Sequence, residues 1–290
     1  MQYQGDRSGW SKAGIAKMMF RATFAASVLA ASLLAASAPA GAGVGDLLVA
    51  PTRLVLDGRK GAEVVLNNIG EEPATYRISV EFRRMTPDGG LMEVDQPTAE
   101  EKLAQEMIVY APRRVTLAPR QPQSIRVSAR APQGLPDGEY RVHLLFRAIP
   151  PARPATTAPD EAGKGLRFSL IPVYGVTIPV IVRFGNLQAK AGIANVHLDT
   201  SAGKRAVALD LSRSGDRSTF GEVRVLKPGV KDPIAIQKAV AVYKEVTTRK
   251  VTIPVDEAFQ GDVRGPVTVQ YVETYADGSH TIAETQTVLR

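Results

Sequence analysis

The feature that most constrains this chain is its period. Apolar and polar residues alternate with a repeat of two, and helical periodicity is nearly absent beyond the first forty-odd residues. Tyr76, Ile78, Val80 and Phe82 alternate with Thr75, Arg77, Ser79, Glu81 and Arg83. Tyr140, Val142, Leu144, Phe146 and Ala148 alternate with Arg141, His143, Leu145 and Arg147. One apolar face per strand means half-buried antiparallel sheet. Shorter strands are expected around Val64, Val115 and Ile125. Asp57-Gly58, Pro87-Asp88-Gly89-Gly90 and Pro136-Asp137-Gly138 supply the turns. The only helix-like interruption is residues 98–105 (TAEEKLAQ), short and charged.

A second series of strands follows residues 183–186. It centres on residues 196–198, 207–211, 223–226, 234–243, 251–255, 267–275 and 281–289. About seven short strands per hundred residues is the density of an immunoglobulin-like sandwich. The expected fold is therefore all-β, with two such sandwiches in tandem, residues 43–184 and 185–290. Residues 150–165 (PPARPATTAPDEAGKG) interrupt the first series just before its last strand. Four prolines and little apolar content mark them as a loop.

Residues 1–42 are set apart as a signal peptide. Lys12, Lys17 and Arg21 precede an apolar, Ala-rich run at 22–36, and two A-x-A sites follow at 38–42. The run is shorter than the roughly 20 residues that span a bilayer. Met18 and Met19 are alternative starts. The leader carries Arg7, Lys12, Lys17 and Arg21 against Asp6, so the net charge of the remainder falls from +7 to +4. Its basic residues are interleaved with apolar ones as on solvated strand faces, which argues against a nucleic-acid partner.

There is no cysteine, which removes thiolate nucleophiles and thiolate metal sites. The three histidines, His143, His197 and His280, are far apart. No G-x-S-x-G, H-E-x-x-H, P-loop or dinucleotide fingerprint occurs. The expectation is a binding protein with no catalytic residue, metal, cofactor or small-molecule substrate. A carboxylate pair of the glycosidase kind has no fixed spacing and stays open.

Residues 166–183 (LRFSLIPVYGVTIPVIVR) are the most informative. Every even position from Leu166 to Val182 is apolar, while Arg167 and Ser169 are not. The run exceeds an ordinary sandwich strand. A long apolar edge is an aggregation hazard. One use for it is to pair with another chain by strand addition. The alternative is that both faces are buried within the protein.

Several segments then resemble, in order, the PapD-like periplasmic chaperones of the chaperone–usher pathway, which assemble pili and fimbriae. They are residues 50–58 (APTRLVLDG), 64–68 (VVLNN), 110–119 (YAPRRVTLAP), 123–127 (QSIRV) and 139–150 (EYRVHLLFRAIP). The match is good across residues 46–185 and weak beyond. The resemblance implies a periplasmic protein in which two immunoglobulin-like domains form a boomerang. Its partners would be pilin-like subunits and an outer-membrane usher. It further implies a donor strand, with Leu166, Phe168 and Leu170 filling the groove of a subunit that lacks a strand. Arg53 matches an Arg that anchors the subunit's C-terminal carboxylate. The family's second anchor, a Lys four residues before an Arg, falls on Pro179, so another basic residue such as Arg141 or Arg167 would have to serve. Arg183 and Glu139 match members of an interdomain ion network whose third member would be Glu273 or Asp277. The competing reading is a secreted structural or adhesive β-sandwich protein of the cell surface. Against it, residues 43–49 are too short to form a separate extension ahead of the first strand.

Overall fold

The computed structural model describes residues 46–150, 173–201, 203–275 and 278–290. Gly43–Arg290 forms one compact unit. Within it the chain is nearly all β and makes two immunoglobulin-like sandwiches in tandem.

In the first sandwich one sheet is ordered β1 (Leu47–Ala50), β3 (Ala62–Asn68), β9 (Pro122–Ala129), β7 (Ile108–Ala111). The other is ordered β2 (Leu54–Leu56), β11 (Gly175–Phe184), β10 (Gly138–Ile149), β4 (Ala74–Glu81), β8 (Arg114–Leu117). Their alternate residues meet in one core that includes Leu66, Tyr76, Ile78, Leu117, Ile125, Leu144 and Phe146. Even residues of β4, β10 and β11 face this core, as the alternation requires.

The second sandwich packs β12 (Ala189–Asp199), β13 (Ala206–Gly215) and β16 (Thr248–Pro254) against a second sheet. That sheet is ordered β15 (Ala235–Val242), β14 (Thr219–Leu226), β17 (Gly265–Tyr275), β18 (Gly278–Leu289). The strand expected at residues 196–198 is the end of the longer β12. Asn195, at φ 52°, sits in a register shift against β13 and hides the strand's first half from pattern reading.

Between β4 and β7 the chain adds a two-stranded ribbon, β5 (Arg83–Met85) and β6 (Leu91–Glu93), and the helix α1 (Ala99–Met107). Thr98 and Glu101 form a capping box: Glu101 N–H donates to Thr98 Oγ1 (3.2 Å) and Thr98 N–H to the Glu101 carboxylate (2.7 Å). Ala104 and Met107 seal the helix onto the first core.

The ribbon belongs in sequence to the first sandwich but docks on the second. Met85 is buried in the second core, and its N–H donates to Glu245 Oε1 (2.7 Å). Lys250 N–H of β16 donates to the Pro87 carbonyl at the ribbon's turn (2.7 Å). Among the described residues, Ile181 is the other buried contribution of the first sandwich to the second core. It occupies an odd position on β11, so the strand buries both faces from Val180 to Val182. For that stretch, burial of both faces is what the structure shows.

A candidate binding cleft between the sandwiches

The odd-numbered face of the β2–β11–β10–β4 sheet turns toward the second sandwich and carries most of the charged residues that meet there. Glu139 and Arg183 are cross-strand partners on β10 and β11, and Arg183 Nε donates to Glu139 Oε2 (2.9 Å). Both belong to the first sandwich. The link to the second is Ser218, whose N–H and Oγ donate to the same carboxylate oxygen (3.0 and 2.9 Å), while Arg183 Nη2 donates to the Ser218 carbonyl (3.1 Å). Glu273 receives both Nη atoms of Arg217 (3.1 and 3.0 Å) and the N–H of Phe220 (2.9 Å). Asp277 lies outside the described residues.

Arg141 binds the Glu245 carboxylate through both Nη atoms, one at 3.1 Å, and its guanidinium lies 3.7 Å from the centre of the Tyr243 ring. It also donates to the Arg83 carbonyl (3.1 Å). Its donors are largely committed, which makes it a poor replacement for the missing Lys at Pro179. Arg167 lies outside the described residues.

Arg53 occupies a different environment. It stands where the chain crosses from the sheet of β1 to the sheet of β2, two residues after the cis Ala50–Pro51 peptide. Its guanidinium carbon lies 4.4 Å from the centre of the Phe220 ring on β14. Nη1 is buried and has no acceptor among the described residues. Burial pushes the pKa of the group below its usual value, and nearby Arg183 adds to the fall. Arg141, Arg213 and Arg249 also bury an Nε without an acceptor, but each donates elsewhere. A buried donor left unpaired costs about 1–3 kcal/mol, so one needs an explanation.

Next to this cleft, α1 and β10 face Lys244 and Glu245 across a cavity of about 310 Å³. Its charges cancel in pairs: Arg84 with Glu101, Arg141 with Glu245 and Lys244 with Glu100. None of these side chains is left spare for a charged ligand.

Among the described residues neither ring nitrogen of His143 has a hydrogen-bond partner, and the residue is 1 % exposed. Sequence reading placed it on a charged strand face. The second sandwich and the β5–β6 ribbon cover that face, and burial, with Arg141 and Arg83 nearby, pushes its pKa down to about 3. The unfolded chain takes up this proton near pH 6.5. The contribution of the neutral ring is therefore present above pH 6.5 and is lost as pH falls toward 3. The expected result is a melting temperature for His143→Leu that rises relative to wild type as pH is lowered through this window. A constant difference from pH 7 to pH 4 would contradict it.

The edge of β11 is open beside the cleft. β2 pairs only with Val180–Val182, so Gly175–Pro179 has no strand on that side among the described residues. Val173 and Tyr174, just ahead of it, are exposed. Leu166, Phe168 and Leu170 lie outside the described residues.

No protein-family model matches the chain, and no curated protein matches it by sequence. In fold it is similar to solved chaperones. The YadV chaperone is 14 % identical, with 84 % of this chain and 100 % of that one covered at a TM-score of 0.43. The CupB2 chaperone of Pseudomonas aeruginosa is 14 % identical, with 84 % and 100 % covered and a TM-score of 0.41. A chain of the Salmonella enterica SafA pilin complex with the SafB chaperone is 15 % identical, with 86 % and 99 % covered and a TM-score of 0.42.

Sequence reading missed Phe220, Ser218, Tyr243 and Met85 as cleft residues. Phe220 and Ser218 fall in a stretch, RSTF, with no pattern that marks a contact. Met85 follows two arginines and reads as the end of a strand. The signals that assign them are contacts across the two sandwiches, which strand periodicity does not encode.

Proposed function

We propose that the protein is a periplasmic chaperone that captures pilin-like subunits by lending them a β-strand and passes them to an outer-membrane usher. The observation that carries this reading is Arg53, a cation with a buried nitrogen that lacks an acceptor, set in the same cleft face as the open edge of β11. A chain adding to that edge would satisfy backbone donors and acceptors along Gly175–Pro179. Its C-terminal carboxylate would accept from the accessible part of the Arg53 guanidinium, a side chain only partly buried, in a partly desolvated place where a charged hydrogen bond is strong. The apolar even residues Leu166, Phe168 and Leu170 continue the parity of β11 and would fill the client's groove. The Glu139–Arg183–Ser218 cluster would hold the two walls of the cleft in register.

The test is co-purification from periplasm. Wild type should bring down a small β-rich subunit. Arg53→Ala should weaken that capture by about tenfold or more. The variant's own melting temperature should change little, because loss of the Phe220 stacking is offset by removal of the buried, unpaired Nη1. Undiminished capture would place the carboxylate elsewhere.

A further inference from the structure

If Arg53 receives a carboxylate, something must hold its guanidinium ready. An Arg side chain has several rotatable bonds, and a cation free to swing binds an anion with an entropy penalty. Among the described residues of the first sandwich, none holds this one by a side-chain hydrogen bond. The group that meets it is Phe220, from the second sandwich, with the ring centre 4.4 Å from the guanidinium carbon. A cation over an aromatic face at this distance is attracted by the ring quadrupole, more strongly when partly desolvated. Stacking uses the flat face of the group. It leaves the N–H fork at the edge, where a carboxylate binds bidentately.

Phe220 is itself fixed. Its N–H is held by Glu273, which Arg217 grips through both Nη atoms. Two residues earlier, Ser218 is tied to Glu139 and Arg183 of the first sandwich. The segment 217–220 is thus pinned at both ends to Glu273 of its own sandwich and at Ser218 across the cleft, with the ring set against Arg53.

We propose that Phe220 is a positioning residue for carboxylate recognition: the second sandwich presents its ring to Arg53 and orients the guanidinium for a client's C-terminus. This rests on the chaperone reading above. It assigns the weakly resembling second sandwich a part in recognition itself, beyond closing the cleft.

The experiment uses the full mature chain and a synthetic heptapeptide of alternating valine and threonine, once with a free C-terminal carboxylate and once as the amide. The ratio of the two affinities isolates the carboxylate contact. Wild type should prefer the acid by about tenfold or more, and Arg53→Ala should abolish the preference. Phe220→Leu keeps apolar volume and removes the aromatic face. It should cut the preference by about two- to fivefold and leave amide binding nearly unchanged. Phe220→Tyr should restore the preference. Phe220→Leu with the full preference, or with acid and amide weakened alike, overturns the positioning role and leaves the chaperone reading standing. A wild type with no preference, or an Arg53→Ala that keeps it, overturns the carboxylate reading and the inference with it.

Discussion

Met85→Asp should split one cooperative unfolding transition into two and lower the melting temperature of the second sandwich sharply. Met85 is 7 % exposed and lies in the core of a sandwich to which its own strand does not belong. An unpaired carboxylate in that place costs several kcal/mol. It would also stand near Glu245, which already receives the Met85 N–H, so like charges would add to the penalty. The ribbon would be expelled. With it would go the Lys250–Pro87 hydrogen bond that spans the two sandwiches. The first sandwich keeps its own core, built from Leu66, Tyr76, Phe146 and their neighbours, and should melt near its original temperature. Met85→Leu conserves volume and should cost less than about 1.5 kcal/mol. Differential scanning calorimetry of the three proteins decides the matter. A single transition for Met85→Asp at the wild-type temperature would show that the ribbon contributes nothing to the union of the sandwiches.

Phe168→Glu should abolish client capture while the protein itself melts as before. The even residues of β11 face the first core, and the same parity runs back through Pro172, Leu170 and Phe168 to Leu166 in the sequence. A donated strand places such residues in the client's groove. A carboxylate buried there without a partner costs several kcal/mol, enough to dissolve a micromolar complex. The measurement pairs a thermal melt with recovery of the subunit from periplasm. A normal melt with no subunit supports donation. A collapsed melt would mean that Phe168 belongs to the protein's own core.

The alternation of β4 and β10 was enough to read both the strands and the residues that fill the first core, because Tyr76, Ile78, Leu144 and Phe146 obey one rule: same face, same neighbour. The helix was expected at residues 98–105, but the capping box of Thr98 and Glu101 that starts it was not read, although its partners lie only three residues apart. The opposite face of the same strands was not legible. Glu139, Arg141 and His143 sit at positions that on an isolated sheet would meet water. What buries them is the second sandwich, together with a ribbon that folds back from residues 83–93. Strand periodicity reports that a face is polar; it does not report whether solvent or another polar face lies opposite. Glu139 and Arg183 were paired only through the family resemblance, and Ser218, which links them to the second sandwich, carries no sequence signal.

The shared second core has a consequence for anyone who would exchange parts of this molecule. Met85 and Ile181 lie almost a hundred positions apart in the chain, yet both plug the same neighbour. No single peptide bond therefore separates two self-sufficient modules. A cut between Phe184 and Gly185 would leave the C-terminal fragment with two vacated sockets and an uncovered strip of apolar wall, and Glu245 without the amide it receives. A graft that changes the second sandwich must bring, or rebuild, a ribbon encoded far upstream. Substitutions at Met85 and at Glu245 should accordingly be selected together, although the two positions belong to different halves of the protein.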